Sequence, residues 1–370
     1  MAKKGQAFDE VKVAPQEVFI QNLADKFKSQ MDAFFRKNLG DGPIMKEWHR
    51  SFYLMMEWQE ANPDKYYPPV KQWLRPSMVG ADDQQLWMQL HGYKSDQVLS
   101  DEPQDEVHTR WQAIGTQVGD MWQRQILASE YWTKKGKAQV DFRFERKHFD
   151  MSSIEGFKHE WFPYFEEFAR EYHEIDGVPV WGTCDGILNY NHPLGGKDEP
   201  HAFTRIGFEV KSKQTTNAST GTYKMKTYEE KHRQQILTYA LMYDLDYYFI
   251  LYQNCSKKGW TQDEETKTKY PDVRVFGIYI SPEEKEAHKK YLKGLWNFKD
   301  TTEKPPLNPL KWNFNSHKIS SIVNMTDMEY LILQDDVNAI SKMKEYTTFE
   351  KKCAEQCLEE VRQAREAMKK

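Results

Sequence analysis

Three patterns in the chain predict an α/β fold. Ile206, Phe208 and Val210 alternate with Glu209 and Lys211, the period of a strand with one buried face. Tyr247 to Gln253 and Val273 to Ile280 are apolar runs of strand length. Tyr228 to Tyr243, between the first strand and these two, has helical spacing and should return over the strands it connects.

The elements before this centre are mostly helical. Residues 1–14 are charged and unpatterned. From Pro15 to Phe35 the set Val18, Phe19, Leu23, Phe27, Met31, Phe34 and Phe35 recurs with helical period, and a second helix spans Ile44 to Ala61 before the breaker Asn62-Pro63. Trp48, Phe52, Tyr53 and Trp58 on that helix are expected in the core, with base stacking open to one or two of them. Leu74-Arg-Pro-Ser77 looks like a fresh helix start with Ser77 near the N-cap. Residues 100–106 form an acidic linker, and Glu106 to Lys134 a long helix that accepts Gly115 and Gly119 at a cost of about 1 kcal/mol each. Val140 to Lys147 alternates as a strand, and Trp161 to Tyr172 reads as an aromatic, acidic loop.

Trp181 to Tyr190 is a short apolar strand carrying Asp185, joined to the Arg205–Lys213 strand through a hairpin-type insertion, Asn191 to Pro200. Gln214 to Thr222, rich in Thr, Ser, Asn and Gly, should be a flexible loop placed where a substrate gate would lie. Ser281-Pro-Glu-Glu opens a capped helix, Thr301 to Pro309 is a proline-rich linker, and Asp335 to Lys370 reads as one polar helix. The division is therefore a helical N-terminal region at 1–105, a core at 106–300, and a linker with a C-terminal helix at 301–370.

Composition narrows the function classes. With 370 residues, 39% hydrophobic and 14% aromatic, the chain has ample material for a core. Fifty-two basic against 56 acidic residues argue against a simple basic coat for DNA, yet allow a local positive groove beside an acidic site. No run approaches the roughly 18 apolar residues of a membrane span. Met-Ala-Lys-Lys-Gly has no apolar segment behind it, so no signal peptide is expected. Four cysteines without zinc spacing imply a reducing compartment, with Cys353 and Cys357 as ordinary thiols; the expected location is the cytoplasm of a bacterial or phage-infected cell.

Chemistry concentrates around Asp185, Glu209 and Lys211. Two carboxylates at one sheet edge would hold a hard cation such as Mg²⁺ or Mn²⁺ through oxygen. The cation would stabilise charge on a scissile phosphate and acidify a water. Lys211 projects to the same face as Glu209 and can orient or deprotonate that water, provided partial burial lowers its pKa. Glu-x-Lys by itself is common here: Glu229/Lys231, Glu265/Lys267, Glu283/Lys285 and Glu350/Lys352 repeat it in helices or polar loops. Only Glu209/Lys211 lies in an alternating strand with an acid-bearing strand just before it; the bland alternative is an edge-strand ion pair. On the following helix Gln235 and Tyr239 share a face, with Lys231 and His232 a turn above. Together with Lys213 these read as a phosphate-handling stripe for nucleic acid, against the alternative of an ordinary amphipathic helix.

Asp185-Gly, Glu209-Val-Lys211 and Gln235-x-x-x-Tyr239 together resemble the PD-(D/E)xK nuclease superfamily, and within it the RecB-like exonuclease branch that includes many phage exonucleases. The resemblance runs from Arg75 to Ile280, with Arg75-Pro-Ser77 and Ile114 to Gly119 similar to the helical lead-in of that branch. It implies a restriction-endonuclease-like core, a mixed sheet flanked by helices, with helical additions at both ends. It also implies Mg²⁺ or Mn²⁺ on Asp185, Glu209 and the Val210 carbonyl, Lys211 as catalytic lysine, and Gln235 and Tyr239 contacting DNA or supporting Lys211. Two departures stand out. Gly119 occupies the place of a histidine ligand found in many members, and the lead-in near Ala81-Asp82-Asp83 lacks the cysteine of the iron–sulfur subgroup, so no cluster is expected. The expected function is a metal-dependent DNA exonuclease of recombination, repair or phage DNA processing. The partner would be DNA, with a recombination partner protein and oligomerisation left open and no membrane. The alternatives are an endonuclease of the same fold and a non-catalytic nucleic-acid-binding or assembly module.

Overall fold

The structure, a computed structural model, describes residues 15–99, 106–191, 203–256 and 263–368. It is a mixed α/β architecture in which a central β-sheet is flanked by helices. The strands are β1 (Phe142–Phe144), β2 (Arg146–Asp150), β3 (His159–Pro163), β4 (Glu171–Ile175), β5 (Val178–Gly182), β6 (Gly186–Asn191), β7 (Phe203–Lys213), β8 (Tyr247–Asn254) and β9 (Val273–Tyr279). Five of them form the central sheet in the order β1-β6-β7-β8-β9, while β2–β3 and β4–β5 are separate two-stranded sheets. Only β7 and β8 run parallel; the other central pairs are antiparallel. Parallel neighbours need a crossover, and it is supplied by α7 (Glu230–Tyr243).

The remaining helices are α1 (Pro15–Arg36), α2 (Met45–Ala61), α3 (Pro63–Tyr66), α4 (Asp83–Leu90), α5 (Asp96–Leu99), α6 (Glu106–Lys134), α8 (Glu264–Lys269), α9 (Pro282–Trp296), α10 (Lys318–Val323), α11 (Asp327–Lys342) and α12 (Thr348–Met368). None of the described helices is long and apolar enough to cross a membrane.

Both faces of the sheet are buried. Phe249 and Leu251 of β8 join Phe208 of β7 and Leu188 of β6 on one face, under α1, α2 and α6. Phe27 of α1 is the keystone there, its ring 5.8 Å from Phe208, 5.6 Å from Phe249 and 5.3 Å from Phe142. Tyr248, Ile250 and Tyr252 point to the other face, against Ile236 and Ala240 of α7 and Leu292 of α9. Each such fully buried side chain is worth about 1.5–3 kcal/mol in burial. Gly207 of β7 permits this packing, because a Cβ there would lie 2.0 Å from the Tyr248 ring.

His288 secures α9 to α7. It is 3% exposed, its Nε2 lies 2.8 Å from the Thr238 hydroxyl, and burial holds its pKa down to about 4 from an ordinary 6.5. The folded value is depressed, so the stability this ring contributes is present above pH 6.5 and lost as the pH falls toward 4. That loss amounts to about 3 kcal/mol. His288→Gln should therefore be less sensitive to acid than the wild type. Urea midpoints at pH 7 and pH 4.5 check this; an equal fall in both proteins would contradict it.

Several sequence expectations change. Trp181 to Tyr190 is two strands: the chain leaves β5 after Gly182 and joins the central sheet at Gly186. Val140 to Lys147 likewise divides at Glu145, where the chain exchanges partners: its N–H bonds the Ile187 carbonyl, its own carbonyl the Tyr164 N–H. The expected loop 161–172 holds the end of β3, a 3-10 turn at Glu166–Ala169 and the start of β4. Asp82, not Ser77, caps the next α-helix, α4, accepting from the Gln85 N–H. The loop after β7 is tied down rather than loose. Thr216 and Ser219 form a capping box, and the buried Asn254 amide donates to the Thr216 carbonyl and the Thr220 hydroxyl. The hairpin insertion after Asn191 and residues 1–14 lie outside the described residues. The single C-terminal helix is instead α11 and α12, separated where Thr347 and Glu350 make a fresh capping box. Cys353 and Cys357 are free thiols sealed in the core beside Trp312, and burial pushes the Cys357 thiol up.

Candidate active site

Asp185 sits in the break between β5 and β6, and Glu209 and Lys211 on β7. Two tethers hold the break open: the Glu166 N–H donates to the Cys184 carbonyl at 3.1 Å, and the Thr183 hydroxyl donates to the Glu166 carbonyl. Freed from a ladder, Asp185 turns its carboxylate to the Val210 N–H, 2.6 Å away. On the α7 side of the same strand the Lys211 ammonium donates to Glu209 Oε1 at 2.6 Å and to Gln235 Oε1 at 3.0 Å. Glu209, Lys211 and Gln235 are thus joined by hydrogen bonds, Asp185 is fixed beside them on the Val210 amide and feels the charges of Glu209 and Lys211, and Gln235 supports Lys211. At Val210 the amide, bonded to Asp185, is the group engaged. Tyr239, one turn after Gln235, is 5% exposed and lines a cavity beside the cluster.

The electrostatics follow from burial and crowding. Burial, then the charges of Glu209 and Glu166, hold the Asp185 carboxyl well above the usual carboxylate range. Burial would lower the Lys211 ammonium, as the sequence suggested, but Glu209 and Asp185 outweigh it and raise its pKa. Lys211 is therefore a stable cation here, not a ready base. His232 is the reverse: burial and then the charge of Lys211 drive it down to about 3, so the ring is neutral at physiological pH. Its Nδ1 lies 2.8 Å from the Tyr252 hydroxyl, which also receives the Glu229 N–H. Lys213 is held by Glu229, and Lys231 lies 3.2 Å from the same carboxylate. Of the expected phosphate stripe, His232 is thus an uncharged hydrogen-bonding group, and both lysines are drawn to one glutamate.

Two side chains that sequence reasoning passed over belong to this cluster. Gln123 of α6 is fully buried and its amide donates to Glu166 Oε1 and to the Asp185 carbonyl, 3.0 Å each. Glu166 itself has a left-handed backbone, φ 45°, unusual for a residue with a long side chain. Burial, followed by the nearby carboxylates of Asp120, Glu167 and Glu209, raises its carboxyl. Gly119, where the resemblance places a histidine in other proteins, faces open space: a Cβ there would meet nothing within 4 Å. The neighbouring helix residues Asp120 and Gln123 stand toward Glu166 in its place. The acidic run 161–172 was the available signal, since a glutamate pair just ahead of an acid-bearing strand can reach the same edge.

Carboxylate oxygens are the donors a hard divalent cation takes. Glu209 is 2% exposed and its Oε2 has no hydrogen-bond partner among the described residues; the same holds for Gln123 Oε1. Orphaned buried oxygens of this kind are costly unless something electropositive meets them. Among the described residues, however, no three His, Cys, Asp or Glu side chains are gathered closely enough to hold an ion. Each carboxylate is met by a donor of the protein: Lys211 holds Glu209, the Val210 amide holds Asp185, and Gln123 holds Glu166.

No family model matches this chain, and no curated protein matches it. A solved structure titled "Crystal structure of SSO0001" is similar to 75% of this chain and 98% of its own, at 8% identity and a TM-score of 0.35. A likeness that loose bears on neither activity nor fold.

Proposed function

We propose that the chain is a metal-dependent deoxyribonuclease of the PD-(D/E)xK type with a restriction-endonuclease-like core, acting as an exonuclease on DNA in the cytoplasm. The observation that carries this reading is the Asp185–Glu209–Lys211–Gln235 cluster with the orphaned Glu209 oxygen inside it. Asp185 and Glu209 would hold Mg²⁺ or Mn²⁺, with Glu166 close by. The cation, when bound, offsets charge on the scissile phosphate and makes a water more acidic. Lys211 contributes its positive charge to the phosphate and is oriented by Gln235. His232, being neutral, offers a ring N–H rather than a charge.

Linear and covalently closed circular DNA, incubated with Mg²⁺ and then with EDTA, test the reading. Loss of the linear form alone, abolished by EDTA, is the expected result. Nicking of circles would move the assignment to an endonuclease, and two intact substrates would leave only a binding module.

A further inference from the structure

We propose that a groove flanking the carboxylate cluster binds the unpaired end of a nucleic-acid strand, by stacking on Trp181 and Tyr67 and by an Arg75–phosphate contact; this rests on the nuclease reading. The groove encloses about 290 Å³ and is lined by Arg75, Ser77, Arg170, Trp181, Thr183 and Tyr239. Its walls are the segments that build the site. Trp181 is the penultimate residue of β5, four residues before Asp185, and Tyr239 follows Gln235 by one turn of α7. The groove and the cluster are thus built from the same two segments, the end of β5 and the helix α7.

The lining has the chemistry of unpaired nucleic acid. Trp181 is ringed by Trp73, Tyr66 and Tyr67, with centroids 5.4, 6.3 and 6.4 Å away, and the Arg170 guanidinium lies 4.9 Å from its ring. A core cluster would be sealed, but Trp181 is only partly covered, and Tyr67, which lines the neighbouring cavity and packs on Trp181 from there, is 58% exposed. The Trp181 indole N–H has no partner among the described residues. Arg75 is exposed and has no acidic partner among them either, so its guanidinium fork is available to a phosphate. Arg170 is committed to Glu167, which also receives the Tyr66 hydroxyl; that network braces the wall. A duplex hides its base faces, so rings at this position act only on unpaired bases. The volume sits at the small end of ligand cavities, about 300 Å³, room for one nucleotide and not for a double helix.

The rings beside the site are thus different from those the helical pattern suggested for stacking. Trp48, Phe52 and Trp58 pack in or against the core, and Tyr53 lies exposed elsewhere on α2.

The test is fluorescence anisotropy in EDTA with a labelled dT dodecamer, the same length as blunt duplex, and an abasic strand of equal charge. Binding in EDTA separates this proposal from cleavage. Wild type should bind the single strand about tenfold more tightly than either the duplex or the abasic strand. Tyr67→Ala should remove most of that preference, and Arg75→Ala should weaken all single strands about tenfold. Both residues are exposed, so melting temperatures should match wild type; Trp181→Phe, which keeps a ring, should bind nearly normally. Equal binding of single strand and duplex, or no change in Tyr67→Ala and Arg75→Ala, would overturn the groove even if Mg²⁺-dependent cutting is found. Arg75- and Tyr67-dependent binding without cutting would keep the groove and remove the nuclease.

Discussion

Lys211→Ala is expected to lower cleavage by about 10²–10³-fold and, independently, to lower stability in EDTA. The first effect follows from the position of the ammonium, anchored between Glu209 and Gln235 beside the two carboxylates. The second follows from what the substitution leaves behind. Glu209 keeps only 3% of its side chain exposed and one of its oxygens already lacks a partner; without Lys211 both do. Breaking one side of such a pair costs about 3 kcal/mol, at the low end because Lys211 retains 23% exposure. Mg²⁺ should then raise the melting temperature of the variant more than that of the wild type, since it meets an uncompensated carboxylate. Calorimetry with EDTA and with Mg²⁺, beside a nuclease assay, measures both. Full activity would remove Lys211 from its role, and unchanged stability would show the pair to be well solvated.

The parts of this site that were legible in the sequence share a cause. The β7 alternation was readable because one face is core: Ile206 and Phe208 are fully buried, which leaves Glu209 and Lys211 on the other face by geometry. The bounds of α6 and the capped start of α9 were readable because periodicity and caps are local signals. What escaped was set by partners distant in sequence. Nothing in Trp181 to Tyr190 announces a break at Thr183, because the break exists only when the Glu166 backbone takes the Thr183 and Cys184 groups. Gln123 looked like an ordinary polar position on a helix, and its meaning depends on the Asp185 carbonyl, 62 residues away. The condition set on Lys211 as a base fails for the same reason: its burial is legible in the sequence, but not the two carboxylates whose charge overcomes it.

Asp185→Asn should do the opposite of Lys211→Ala to stability while also ending cleavage. In the wild type this half-buried carboxylate loses part of its hydration beside Glu209 and Glu166, an arrangement that raises its pKa and opposes the charged form. The asparagine keeps an oxygen for the Val210 N–H and removes the like charge, so the folded state should gain about 1–2 kcal/mol in EDTA. The pH dependence has a definite sign. A carboxyl whose folded pKa is raised contributes stability that is present at low pH and lost as the pH rises through that folded value. The advantage of Asp185→Asn over wild type should therefore grow between pH 4 and pH 8. Cleavage should fall at least about 10³-fold, as expected when an oxygen that holds the cation is neutralised. The Mg²⁺-dependent rise in melting temperature should vanish with it. A protein that traded stability for function at this position would show all of these together. An Asp185→Asn variant that melts below wild type in EDTA, or that Mg²⁺ still stabilises as fully, would mean that this carboxylate serves the fold and not a cation.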